Sequence, residues 1–220
     1  MYQSHPSAEM SELFRAQPFQ GARPERAEFV FVGLDANYAP DLESSPAFRR
    51  VVEYHEDGVA FWRRHGVHHP FLLAAYRGDG RRYHRNFARI GFTPEDASRV
   101  SFIELLHVPT TGRSRLTARD LDAGHLAALD ALIRAGAPRH VFLSAGVARL
   151  MRRSGRFNWL PRILPSGEVL PVLHRHESTV VHLHLHFSNY GKFQERMDRE
   201  ALAIAQLAKP DGHPPGHATH

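Results

Sequence analysis

The sequence contains no cysteine, and this absence removes several classes of chemistry. A chain without thiols forms no disulfide, has no thiol nucleophile and offers no thiolate ligand to zinc or to an iron–sulfur cluster. Long apolar runs are also missing, since no uninterrupted stretch approaches the ~20 residues of a membrane span. The first residues lack the apolar core of a secretion signal, so we expect a cytoplasmic protein with no membrane partner.

The composition indicates one globular domain with an excess of positive charge. The 220 residues carry a formal net charge of +5, which favours polyanionic partners such as nucleic acids. We predict a single α/β domain over residues 28–208. An irregular lead-in of residues 1–27 precedes it, and a disordered tail of residues 209–220, rich in proline, glycine and histidine, follows it.

Four short apolar runs indicate buried β-strands. They are Glu28–Tyr38, Arg99–Leu106, His140–Ser144 and Thr179–His186. Segments with helical spacing of apolar residues separate them, and Thr117 with Asp120 forms a helix-start box in one such segment. Strands that alternate with helices predict a three-layer α/β/α sandwich with a central four-stranded parallel sheet.

Polar side chains follow three of these strands. They are Asp35, Asn37 and Tyr38 at the first, Glu104 and the loop His107–Arg115 at the second, and His186, Ser188, Asn189 and Tyr190 at the fourth. The carboxyl ends of parallel strands meet at one edge of a sheet, so we expect these clusters to converge on a ligand site.

Each of the three main residues also has a structural interpretation. Asp35 can cap a turn, and Glu104 can pair with Arg113 or Arg115. His186 can be a hydrogen-bonded core histidine. Only their convergence favours a catalytic role.

The alternation of His182, His184 and His186 raises the alternative of a metal-dependent hydrolase, because imidazoles bind zinc, nickel and copper. Side chains at these positions share one face of a strand but span ~13 Å along it. Three of them therefore cannot meet one ion, although two can do so with an outside ligand.

Five segments in the same order resemble motifs of the uracil-DNA glycosylase superfamily. Gly33–Tyr38 is similar to its Gly-x-Asp-Pro-Tyr-His loop, and Gly66–Phe71 ends in the Pro-Phe of its base-stacking segment. The other three segments are Ser101–Thr117, Pro138–Leu150 and His186–Tyr190. The resemblance spans Phe29 to Gly191 and implies a cofactor-free and metal-free enzyme that removes a damaged or deaminated base from DNA.

The resemblance also implies roles for individual residues. Asp35 would stabilise the cationic sugar or orient water, and His186 would donate to a carbonyl of the leaving base. The implied base-binding residues are Asn37, Tyr38, Phe71, which would stack on the base, and Glu104. The implied DNA-binding residues are Arg113, Arg115, Ser188, which would hold a phosphate, Asn189, and Tyr190, which would fill the space of the everted nucleotide.

Glu104 departs from the family pattern, which has asparagine at this position. An ionised glutamate offers only acceptors, so we expect it to repel a uracil carbonyl and to favour a base with an exocyclic amine or a ring N–H. This departure argues against uracil as the substrate and leaves a different modified base as the alternative. The same departure raises the alternative of a nucleic-acid-binding relative with altered or lost chemistry.

Overall fold

Seven strands form one mixed sheet in the computed structural model, which describes residues 2–112 and 115–209. The strands are β1 (Gln3–Ser4), β2 (Phe19–Gly21), β3 (Phe29–Tyr38), β4 (Val100–Thr111), β5 (His140–Ser144), β6 (Val172–His176) and β7 (Thr179–His184). Their order across the sheet is β1-β4-β3-β5-β7-β6, and β2 also pairs with β4.

The four predicted strands are adjacent in this sheet. β4, β3, β5 and β7 pair in parallel, in that order. The sheet is nonetheless larger than predicted, because β1, β2 and β6 add antiparallel pairs to β4 and β7. β1 and β2 have only 2 and 3 residues, too few for an apolar pattern to identify a strand.

Helices flank the sheet on both faces. They are α1 (Ala8–Ala16), α2 (Phe48–Glu56), α3 (Gly58–His65), α4 (Arg81–Ala88), α5 (Ala123–Arg134), α6 (Ala145–Arg153) and α7 (Gln194–Ala208). Successive strand residues point to opposite faces, so each strand contributes to two cores. Val30 and Val32 join an aliphatic core with α5 and α6, whereas Phe29 and Phe31 join an aromatic core with α3, α4 and α7.

The prediction of an irregular lead-in was wrong for residues 2–27, which contain α1 and two strands. The Ser7 hydroxyl caps α1 by accepting the backbone N–H of Met10, and the helix buries Met10 and Phe14. The helix packs into a small core with Tyr38 and Phe71. The amino-terminal segment therefore supports the end of β3, where Asp35 lies.

Two other boundaries differ from the prediction. β4 continues to Thr111 through the expected loop, because β1 and β3 supply pairing partners for residues 110 and 111. The Thr117–Asp120 box forms, but it caps a single 3-10 turn, and α5 begins after Asp122. The predicted disordered tail lies outside the described residues from position 210 onward.

No helix in the described part of the chain combines the length and the apolar composition that a membrane crossing requires.

Candidate active site

A cavity of about 290 Å³ lies where the predicted polar clusters meet. β3, β4, the segment from His69 to α4 and the loop after β7 line it. Seven of the predicted site residues face it: Asp35, Asn37, Tyr38, Phe71, Glu104, His186 and Ser188. The expected convergence of the three strand ends is therefore confirmed.

A short hydrogen-bond chain positions the carboxylate of Asp35. The Thr110 hydroxyl donates to Asp35 Oδ2 over 2.5 Å and accepts from the side-chain amide of Asn37 over 3.0 Å. The same amide nitrogen donates to the carbonyl of Gly112 over 2.7 Å. A shift in β3–β4 register between Asp35 and Asn37 sets Thr110 opposite Asn37. Asn37 thus holds Thr110 against Asp35, whereas its predicted contact with a base stays a prediction.

Glu104 enters the cavity across the backbone of Gly33. The two residues are register partners on β4 and β3, and a Cβ built on Gly33 would lie 1.9 Å from Glu104 Oε2. Only glycine at position 33 leaves room for this carboxyl group. Oε2 is buried and has no hydrogen-bond partner within residues 2–112 and 115–209.

The charge state of Glu104 differs from the one assumed from the sequence. Burial, and then the negative charge of Asp35, raise the pKa of Glu104 to about 8. The side chain is therefore mainly a neutral acid at pH 7, with one O–H donor and one carbonyl acceptor. The premise that Glu104 offers only acceptors was wrong, and the argument against uracil that depended on it no longer holds.

His186 follows β7 and is held in one tautomer by the loop after it. Its Nδ1 accepts the backbone N–H of Ser188 over 3.2 Å and the Ser188 hydroxyl over 2.6 Å. In the neutral ring this pattern assigns the hydrogen to Nε2. Burial lowers the pKa of His186, although the nearby Asp35 carboxylate opposes the shift, so the ring is a neutral Nε2–H donor at pH 7.

The loop that carries His186 is itself fixed by α4. Buried Asn86 donates through Nδ2 to the carbonyl of Phe187 over 2.6 Å and to that of Asn189 over 3.2 Å. Two bonds from one amide hold the loop against the helix that also carries Tyr83 and His84. The imidazole is therefore positioned before any ligand binds.

Aromatic rings form one wall of the cavity. Phe71 stacks on Tyr76 at 4.1 Å between centroids and meets Tyr38 edge-on at 5.9 Å. His69 and His84 also line the wall, as a parallel pair whose centroids are 3.5 Å apart. Burial lowers the pKa of both histidines well below its usual value, so they act as neutral aromatic groups.

The lining residues that sequence reasoning missed include the aromatic side chains of His69, Tyr83 and His84, and also Gln20 from the amino-terminal segment. Sequence reasoning also missed a second cavity of about 640 Å³ that shares Gly80, Tyr83 and Ser188 with the first. Four arginines line the second cavity: Arg81, Arg82, Arg85 and Arg89. Their spacing, with arginine recurring on one side of a helix after the Gly78-Asp79-Gly80 turn, was a usable signal.

The remaining predicted DNA-binding residues that the structure describes do not line the second cavity. Tyr190 is 66% exposed and lies under the guanidinium of Arg82, 4.4 Å from the ring centroid. Asn189 and Arg115 line neither of the two cavities. Arg113 lies outside the described residues.

The three alternating histidines have separate environments. His182 contacts Nδ1 of His140 over 3.2 Å, His184 packs on Phe187 at 4.7 Å, and His186 faces the cavity. Among residues 2–112 and 115–209, no three histidine, aspartate or glutamate side chains are arranged to hold a metal ion. The geometry thus gives the metal-hydrolase alternative no support.

Comparison with known proteins adds no family assignment, because neither a protein-family model nor a curated protein matches the chain.

Proposed function

We propose that this protein is a DNA glycosylase that hydrolyses the bond between a damaged or deaminated base and its deoxyribose. The observation that carries the proposal is the meeting of Asp35 and His186 at one cavity of about 290 Å³. That volume is at the small end of ligand pockets, which start near ~300 Å³, and it suits a single base. A sheet with helices on both faces also agrees with the three-layer glycosylase-like sandwich that the motifs imply.

The proposed reaction divides its work between Asp35 and His186. As the glycosidic bond breaks, its electron pair leaves with the base and the sugar becomes cationic. The Asp35 carboxylate stabilises this cation and orients the water whose oxygen bonds to the anomeric carbon. Nε2–H of His186 donates to a carbonyl of the base and stabilises the negative charge that develops on it, and the base finally takes up the proton that the water loses.

DNA binding is the task of the second cavity and of the loop after β7. Arg82 and Arg85 are exposed beside Ser188, and guanidinium groups bind phosphate oxygens well. Exposed Tyr190, stacked with Arg82, is placed to occupy the gap that an everted nucleotide leaves in the duplex. A basic chain gains affinity for DNA through counterion release, so binding should weaken steeply with salt.

A panel of duplex and single-stranded oligonucleotides tests this function. Each contains one uracil, hypoxanthine, xanthine or alkylated base, and alkali-labile abasic sites are counted after incubation with the protein. We expect such sites on at least one member of the panel. DNA binding without an abasic site on any member would overturn the proposal and favour the binding-only relative.

A further inference from the structure

Glu104 is the group in the cavity whose bonding capacity is left unused. Its Oε2 is buried and lacks a hydrogen-bond partner in the described part of the chain, whereas Asp35 and His186 are fixed by Thr110 and Ser188. A buried polar atom without a partner lowers stability, and such groups mark places where a ligand completes the bonding. Gly33 has no side chain that would displace the Glu104 carboxyl group. The carboxyl group therefore faces the part of the cavity that a base would fill.

The surroundings of this carboxyl favour its neutral form. Eight titratable groups lie near the Glu104 carboxyl. His125 of α5 contacts the backbone carbonyl of Glu104. The other seven are Asp35, Tyr38, Tyr54, His69, Tyr83, His84 and His186. Burial raises the pKa of the three tyrosines and lowers the pKa of the four histidines. All seven of these tyrosines and histidines are therefore neutral at pH 7, and Asp35 disfavours a second negative charge.

We propose that Glu104 reads the base as a neutral acid, donating its O–H to a ring carbonyl and accepting the adjacent ring N–H. The inference rests on the proposed function of the same cavity and names its substrate class. With Nε2–H of His186 on a second carbonyl, the matching edge is carbonyl, N–H, carbonyl in a row, which uracil and xanthine present. Hypoxanthine lacks the second carbonyl and should be a weaker substrate.

Deamination of a base such as cytosine creates this carbonyl, N–H, carbonyl edge. Replacing the exocyclic amine of cytosine by a carbonyl also puts a hydrogen on the neighbouring ring nitrogen, which converts an acceptor–donor edge into a donor–acceptor edge. Thymine shares the uracil edge, so the Glu104 contact alone does not separate these two bases.

Three variants test the role of Glu104 in base release. Glu104→Gln keeps one donor and one acceptor at every pH, Glu104→Leu has neither, and Glu28→Gln is a control in an ion pair away from the cavity. Release of uracil by the unaltered protein should fall at least tenfold between pH 7 and pH 9.5, as the acid ionises. Glu104→Gln should show no such fall beyond that caused by ionisation of uracil itself, and Glu104→Leu should be at least ~100-fold slower at pH 7.

A measurement that needs no catalysis keeps the inference separate from the function. The side-chain carboxyl carbons of ¹³C-labelled glutamates are followed by NMR between pH 5 and 10, and Glu104 is assigned by its absence in Glu104→Gln. Binding of free uracil is compared with that of 3-methyluracil, in which a methyl group replaces the N3 hydrogen between the two carbonyls. We expect a neutral Glu104 at pH 7 and at least ~100-fold weaker binding of the methylated base.

The outcomes separate the two claims. Two results overturn the inference and leave the function standing. In the first, base is released but Glu104→Gln is as slow as Glu104→Leu. In the second, base is released but the unaltered protein shows the same pH profile as Glu104→Gln. Absence of base release, together with a neutral Glu104 that selects uracil over 3-methyluracil, overturns the function and supports the inference. An ionised Glu104 at pH 7 overturns the inference in either case.

Discussion

Glu28 and Glu104 belong to the same pair of central strands: Glu28 immediately precedes β3, and Glu104 lies on β4 opposite Gly33, in the middle of β3. Glu28 pairs with Arg99 over 2.8 Å and with Arg139 over 3.4 Å. Glu104 lies in a cavity beside a second carboxylate, and its Oε2 lacks a partner among the described residues. Arginine side chains therefore neutralise the charge of Glu28, which lies away from the cavity. The chain leaves the carboxyl group in the cavity uncompensated, as functional sites often do.

The largest effect should follow from neutralising the other carboxylate of the cavity. Asp35→Asn keeps the shape of the side chain but removes the charge that stabilises the sugar cation. We expect base release to fall about 1,000-fold or more, with DNA affinity changed less than threefold. Single-turnover rates and a DNA-binding titration measure the two quantities, and Glu28→Gln should change neither. Unaltered release by Asp35→Asn would remove Asp35 from the mechanism.

Removing the imidazole should have the next largest effect. His186→Ala deletes the donor to the departing base, and we expect release to slow by about 100-fold. Ser188→Ala is the matched control, because the backbone N–H of residue 188 still fixes Nδ1 of His186; it should slow release by less than about tenfold. Equal losses in both variants would place the hydrogen-bond donor to the leaving base elsewhere.

Filling the space under Glu104 should disturb both stability and recognition. A Cβ at Gly33 would meet the Glu104 carboxyl at 1.9 Å, so Gly33→Ala forces that side chain to move. We expect a loss of about 1–3 kcal/mol in the free energy of unfolding, measured in urea, and weaker selection of uracil over other bases.

Gly146 provides a control for this substitution, because a Cβ there has its nearest neighbour at an ordinary 3.8 Å. Gly146→Ala in α6 should stabilise the protein by about 0.5–1 kcal/mol. A Gly33→Ala protein as stable and selective as the unaltered one would show that Glu104 is not packed against Gly33.

The comparison between the two glutamates also predicts opposite signs in stability. The pKa of Glu104 is raised on folding from 4.5 to about 8, so its contribution to stability is fully present below pH 4.5 and is lost as the pH rises through 8. Glu104→Gln should therefore be more stable than the unaltered protein at pH 9, by about 5 kcal/mol, because a pKa raised from 4.5 to about 8 costs ~1.4 kcal/mol per pH unit between the two values. The difference should shrink towards pH 5.

Glu28→Gln should instead be less stable by about 1 kcal/mol or less at pH 7, because its partly exposed ion pairs are lost. Urea unfolding of the three proteins across this pH range measures both signs. Destabilisation by Glu104→Gln at pH 9 would mean that Glu104 has a stabilising partner.

Local patterns in the sequence were enough to find the parallel strands and the residues at their ends. The apolar stretches within His140–Ser144 and Phe29–Tyr38 are short and rich in β-branched or aromatic residues, so their length and composition identify them as strands. The polar residues that follow Gly33 then lie at the ligand-binding edge by topology. Asp35 and His186 could be predicted for this reason.

Long-range contacts determined what the sequence left open. β4 continues past Pro109 because β1 and β3 pair with its end, although the local sequence there is typical of a loop. The protonation of Glu104 depends on its burial over Gly33 and on the Asp35 charge, neither of which a linear pattern reports. Likewise, burial lowers the pKa of His68 and His184 to about 3, and the linear sequence does not report that burial.

A glycosylase releases a free base and leaves an abasic strand, and both products can be measured in one reaction. A duplex with one uracil is incubated with the unaltered protein and with Asp35→Asn, and free uracil is quantified by mass spectrometry beside the abasic strand. We expect equal amounts of free base and abasic strand from the unaltered protein and a release at least ~1,000-fold slower from Asp35→Asn. Bound but intact DNA with no free base, on this duplex and on those with xanthine or hypoxanthine, would contradict the proposed function.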